Sequence, residues 1–117
     1  MPVGTARAGY GGGVMAFVFR LLPPRPDFPA TMSDAERETM TAHVEYWTGL
    51  MREGHVLGFG PVADVREPYG IGIVLADDLA AAERLRDADP AVVAGLGREE
   101  ISPVLRLVTP SGVYQAG

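Results

Sequence analysis

Proton-transfer chemistry near neutral pH calls first for an imidazole, and this sequence holds two, His43 and His55. His43 lies in the run MTAHVEYWTGLMREGHVLGFGP, residues 40–61, and on a 3.6-residue wheel it shares one stripe with Met40, Val44, Trp47, Leu50 and Met51. A titratable ring is thus set among core residues. That placement fits a general acid or base in a pocket, but helix spacing alone favours a core imidazole whose hydrogen bond is satisfied. His55 falls on a different element, without an HxxxH pair or an acid cluster at ligand spacing, so a metal site is set aside. Zero cysteines removes thiolate nucleophiles, disulfides and cysteine metal sites together. Chemistry is left to histidine, carboxylates, hydroxyls and arginine.

Two arginines interrupt otherwise apolar strands, Arg20 in MAFVFRLL and Arg106 in ISPVLRLVT. Each reads as a surface ion pair or as a guanidinium that recognises an anion in a pocket. If their strands are neighbours, the two cations repel unless an anion or carboxylate lies between them. This points to an acidic ligand, with Glu99 or Glu100 as the alternative counter-charge.

The elements that must position these groups follow from pattern. Residues 15–22 predict a strand apolar on both faces, with Phe17, Phe19 and Leu21 on one side and Ala16, Val18, Arg20 and Leu22 on the other. Four prolines between Pro23 and Pro29 make the next segment a stiff connecting loop, read as a plain connector ahead of a cover for a cavity mouth. Ser33 to Glu36 is an S-x-x-E capping box that opens a helix over 34–53, and Gly54 ends it. Residues 55–62 and 69–75 predict a hairpin, with Gly58, Gly60, Gly70 and Gly72 leaving one face nearly bare, as for close approach of another group or a ligand. A second helix covers 79–88 with Leu79, Ala82 and Leu85 inward, and Asp89-Pro90 opens a further short turn in which Asp89 is the cap. Residues 101–109 form the last strand.

The order strand, helix, strand, strand, helix, strand is the split βαββαβ unit, a ferredoxin-like α+β fold with a four-stranded antiparallel sheet and both helices on one face. Two helices cover only one face of a sheet whose strands are apolar on both. The open face therefore predicts a homodimer, two such sheets stacking into a dimeric α+β barrel.

A chain of 117 residues has the size of one domain. The domain is read over residues 15–109, preceded by a glycine-rich leader at 1–14 and followed by a frayed tail at 110–117. With 15 acidic against 10 basic residues, a net charge of -5 and no basic run, nucleic acid is excluded as a partner. No stretch approaches about 20 apolar residues, so no membrane partner is expected, and the absence of an apolar leader segment reads as a cytoplasmic protein.

Three pieces carry a family resemblance: the helix histidine in AHVEYW, the GHVLGFGP run closing at Gly60-Pro61, and DADPAVVAGL followed by a last strand beginning ISPV. Over residues 15–108 the chain resembles the YciI-related (YCII) proteins, small dimers of ferredoxin-like fold. The resemblance implies an active site made by His43 and Asp89, in which the carboxylate fixes the tautomer of the ring and raises its basicity. It extends to a branch associated with dehydrochlorination. Position 91 is Ala where many relatives look aromatic, which leaves a pocket wall to Trp47, Tyr46 or Phe28.

The resulting expectation is a small-molecule enzyme with His43 and Asp89 as a catalytic dyad for elimination or isomerisation. Arg20, Trp47, Gly60, Pro61 and Arg106 contact an anionic or phenolic substrate, with neither cofactor nor metal. The alternatives are a non-catalytic dimer module that binds an anionic ligand, a purely structural dimer, and a cofactor-free oxygenase of the same barrel class.

Overall fold

The computed structural model describes residues 13–116; of the leader read over 1–14, residues 1–12 lie outside the described residues. The main sheet is built from β1 (Met15–Leu22), β2 (Val56–Val62), β3 (Tyr69–Ala76) and β4 (Arg98–Val104). They run antiparallel in the order β2-β3-β1-β4. The longer helices are α2 (Asp34–Arg52) and α3 (Leu79–Asp87), with single turns at α1 (Phe28–Thr31) and α4 (Pro90–Val93). This is the ferredoxin-like α+β arrangement.

Local chemistry sets the boundaries of α2. The Ser33 side chain accepts from the Glu36 N–H at 3.1 Å while Glu36 accepts from the Ser33 N–H at 2.9 Å, which closes the capping box. At the other end Gly54 takes φ +86°, and the His55 N–H reaches back to the Leu50 carbonyl at 2.8 Å. Both helices pack on the face of the sheet that carries Phe17, Phe19 and Val74. Trp47, Leu50, Val56 and Ala82 complete this core. Leu79, expected inward, is half exposed, because α3 seats Ala82 against the sheet and leaves its first turn at the surface. The proline segment is not wholly loop: Pro29 stands in the first turn of α1, where its missing N–H costs no hydrogen bond.

The C-terminal end departs most from expectation. The last strand does not run on to Thr109. The chain breaks at Leu105, and β5 (Arg106–Thr109) pairs with β6 (Gly112–Gln115) in a separate two-stranded sheet turned by Pro110, Ser111 and Gly112. The supposed tail is thus a hairpin. Its Tyr114, 1% exposed, packs with Leu75 and Ala16, which lie on the side of the sheet away from the helices. Part of the open face is therefore covered from within the chain. Val18, Ile71 and Ile73 on that face remain only partly buried.

Candidate active site

His43 projects from the middle of α2 toward the start of α4, where Asp89 caps the turn. The Asp89 carboxylate accepts the Ala91 N–H on Oδ1 at 2.9 Å and the Trp47 indole N–H on Oδ2 at 2.7 Å. His43 Nδ1 lies 2.8 Å from Oδ1 and 2.9 Å from Oδ2. Asp89 is wholly buried, and burial alone drives a carboxyl toward its neutral form. The contacts with His43, Glu99 and Trp47 outweigh that burial and hold it below the usual carboxylate range. An ionised Asp89 only accepts, so Nδ1 must be the donor, and the lone pair of the neutral ring then sits on Nε2.

Local sequence explains the placement. Asp89 precedes Pro90, whose fixed φ suits the first helical position, so the aspartate takes the cap and turns its oxygens back over the chain. Trp47 falls four residues after His43 on the same helix face, which brings both ring N–H groups to one carboxylate. The indole lies flat enough on the sheet only because position 72 is glycine. A Cβ there would meet Trp47 Cζ3 and, at 2.7 Å, Cη2. Phe19 meets the indole edge-on at 5.6 Å between ring centroids, and Phe59 meets it at 5.7 Å.

Beside this pair opens a cavity of about 280 Å³ between α2, the β2–β3 hairpin and the proline segment. Phe28, Met32, Met40, Phe59 and Pro61 are among its walls, and His43, Tyr69 and Glu99 are its titratable lining residues. This is near the lower end of small-molecule sites and suits a single ring. The proline segment is held over it by Arg25, which clamps Glu36 with two hydrogen bonds at 2.7 and 3.0 Å. That pairing and the capping bonds hold Glu36 down at about 2.

The residues singled out from sequence divide by position. His43, Trp47, Gly60 and Pro61 line the cavity, and Asp89 stands behind His43. Arg20 and Arg106 are not part of the lining, which corrects the expectation of an arginine pair. Alternation along β1 turns Arg20 to the outer face, where it sits opposite Glu100, 3.7 Å from its carboxylate, and over the Tyr69 ring at 4.5 Å. Arg106 belongs to the separate hairpin, opposite Gln115. Glu100 thus provides the counter-charge for Arg20.

Glu99 was missed as a site residue. On β4 it alternates inward with Ile101 while Arg98, Glu100 and Ser102 face out, so an acid in phase with the buried side of the strand was the available signal. Both its oxygens are buried and accept no hydrogen bond, and the acceptor beside its proton is the Asp89 carboxylate. Burial and the neighbouring Asp89 push its carboxyl up to about 9. His43, Asp89 and Glu99 bring one ligand atom each within 4.8 Å of one another, a grouping that a cation could use and that ligand spacing along the chain does not reveal. The donor set suits a cation poorly, since Asp89 already accepts three N–H groups.

The YCII-related domain matches residues 16–105, most of the chain. The chain belongs to this family. No curated protein matches the sequence. Among solved structures, the fold is similar to 5-chloro-2-hydroxyhydroquinone dehydrochlorinase (TftG) from Burkholderia phenoliruptrix AC1100, in complex with 2,5-dihydroxybenzoquinone. The TM-score is 0.57 at 17% identity, over 75% of this chain and 91% of the other.

Proposed function

We propose that this YCII-family protein is a small-molecule enzyme in which His43, oriented by Asp89, moves a proton on a small cyclic substrate and so drives an elimination or an isomerisation. The observation that carries the reading is the short contact between His43 Nδ1 and a buried, ionised Asp89 at the edge of an apolar cavity. In that arrangement Nε2 is free to act as base, and the imidazolium it becomes is stabilised by the carboxylate behind it. The apolar walls strengthen every charge interaction inside them. Among the described lining residues there is no lysine or arginine, which favours a neutral or weakly acidic ring, phenolic or enolic, over a strongly anionic ligand. The TftG complex holds a hydroxylated quinone, a single ring of the size this cavity takes.

In an elimination, His43 Nε2 would take a hydroxyl proton and return it to the ring carbon that bears the leaving group, giving a keto tautomer; loss of a second hydroxyl proton to Nε2 would then send its pair through the conjugated bonds as the leaving group departs with its bonding pair. A homodimer through the outer sheet face belongs to the same proposal, with Val18, Ile71 and Ile73 as the apolar strip left beside the C-terminal hairpin.

The test is a screen of chlorinated hydroxyhydroquinones for chloride release, and of cyclic ketones for solvent-deuterium uptake, with wild type, His43→Gln and Asp89→Asn. Asparagine keeps the helix cap, so the second variant isolates the carboxylate. Loss of turnover by about 10²–10⁴-fold in His43→Gln is expected. Wild-type turnover in that variant would remove the mechanism. Binding without conversion of any of these compounds would leave the ligand-binding module in its place.

A further inference from the structure

Packing does not explain why residue 70 is a glycine. Gly72 makes room for the indole and Gly97 for the Leu22 carbonyl, but at position 70 the atoms nearest to a Cβ are all of Leu21, the closest at an ordinary 3.4 Å. Its φ lies outside the left-handed region that favours glycine. A glycine inside a strand weakens it and marks a place where another group comes close to the backbone. Gly70 lines the cavity, as do its partners across the ladder, Leu21 of β1 and Pro61 of β2.

The next inward position on the same strand holds a flat ring. Gly70 and Gly72 lie two residues apart on one face of β3, and the Trp47 indole rests on Gly72. β1 and β2 both run antiparallel to β3, and α2 joins the end of one to the start of the other, so α2 runs the same way as β3. Four residues of helix advance about 6 Å and two of strand about 7 Å, which brings His43 level with Gly70 as Trp47 is with Gly72. The two rings stand 6.0 Å apart between centroids, and both line the cavity. The His43 side chain is 12% exposed, and its Nε2 has no hydrogen-bond partner among the described residues.

We propose that the bare backbone at Gly70 seats the substrate ring: a planar ring lies flat on it, in the layer that the indole occupies over Gly72, and turns a hydroxyl on its near edge to His43 Nε2. Gly70 is then a specificity-determining residue. The substrate class narrows to conjugated rings, aromatic or quinoid, over saturated rings whose puckered carbons stand out of the plane. This rests on the reading of the cavity as a substrate site. The other walls agree with it, since Phe28 and Phe59 offer aromatic surfaces and Met32 and Met40 polarisable thioethers, and both kinds of group favour a flat π system. A methyl group on residue 70 would stand in the layer about 3.5–4 Å above the backbone that the ring carbons would fill.

The experiment titrates hydroquinone and cyclohexane-1,4-diol, which carry the same two hydroxyls on a flat and on a puckered ring, into wild type, Gly70→Ala and Gly58→Ala. Heteronuclear NMR follows the backbone N–H signals and the Trp47 indole N–H. Wild type should bind hydroquinone at least about 10-fold more tightly than the saturated diol, and the ring current of the bound aromatic should move the N–H signals of residues 70 and 71 upfield. Gly70→Ala should melt close to wild type, because its Cβ meets Leu21 at ordinary contact, and should bind hydroquinone about 10-fold or more weakly. Gly58→Ala, at a strand glycine away from the cavity lining, should bind like wild type. Hydroquinone bound equally by Gly70→Ala and wild type overturns the inference, as does equal affinity of wild type for the two rings; either result leaves the cavity a ligand site. Ring-current shifts confined to residues outside the cavity overturn it as well. Unfolding of Gly70→Ala would give this glycine a packing role and overturn it too. Wild type that binds neither ring counts against the cavity as a substrate site, and the inference falls with that reading.

Discussion

Raising the pH from 5 to 8 should weaken the folded protein through one residue, and replacing Glu99 by glutamine should remove that loss. In the unfolded chain the carboxyl titrates near its ordinary 4.5, whereas in the fold it titrates at about 9. Below pH 4.5 both states hold the proton, and the stability tied to this group is complete. Above it the unfolded chain releases a proton that the folded state keeps, so stability falls by about 1.4 kcal/mol per pH unit until the folded carboxyl itself ionises. At pH 7, two and a half units above the unfolded value, the cost is about 3 kcal/mol, a large share of the 5–15 kcal/mol typical of a domain. Urea unfolding of both proteins at pH 5, 6, 7 and 8, read by Trp47 fluorescence, gives the comparison. Any fixed penalty of the amide shifts the two curves apart equally at every pH, and groups common to both proteins cancel. The expected result is a stability difference that grows in favour of Glu99→Gln by more than about 2 kcal/mol across the range. Parallel curves would refute a buried, proton-bearing Glu99.

Gly72→Ala should destabilise by about 2–3 kcal/mol in thermal or urea unfolding, because the new Cβ lands on Trp47 Cζ3 and Cη2 and the indole has neighbours on both sides; a neutral outcome would mean that the indole shifts freely. Tyr114→Ala should cost about 3 kcal/mol despite lying close to the C-terminal end, since its ring is buried against Leu75 and Ala16. Little change would mean that the hairpin does not hold to the sheet. Arg25→Ala should raise hydrogen exchange at residues 28–32 while α2 stays protected, because the bidentate bond to Glu36 is the tie between the proline segment and the helix. Equal exchange in both proteins would place the restraint in Phe28 packing instead.

Much of the positioning framework was legible because it depends on neighbours in sequence. The Ser33–Glu36 box, the glycine at 54, the cap at Asp89 and the alternation of Phe17, Phe19 and Leu21 are each set by residues within a few positions of one another. The order of elements then restricts the sheet to few topologies. What escaped depends on geometry across the fold. A strand continuing through Leu105 and a hairpin turning after it have the same apolar alternation, and the decision falls to the seat that Ala16 and Leu75 offer Tyr114. The Pro110-Ser111-Gly112 turn was the local hint. Arg20 and Glu99 show the same limit from the other side. Alternation assigns each to a face, but only the pairing register shows that Arg20 meets Glu100 outside while Glu99 lies opposite Leu21 on the inner side.

The two buried acids of the site make the stronger physical point, because they lie within a few ångströms of each other in one environment and yet belong in opposite protonation states. Burial pushes both toward neutrality. Asp89 resists because three N–H groups from α2 and α4 converge on it, one of them from the imidazole it orients. Glu99 receives no such donor, and the charge already on Asp89 raises the cost of a second anion beside it. The helix cap therefore does more than open a turn: by keeping Asp89 charged it helps keep Glu99 protonated. The proton of Glu99 faces the Asp89 carboxylate, and the group of this cluster left toward the cavity is the His43 ring. Asp89 in its charged state orients the imidazole, and Glu99 in its neutral state adds no second negative charge behind the ring that would take up a proton.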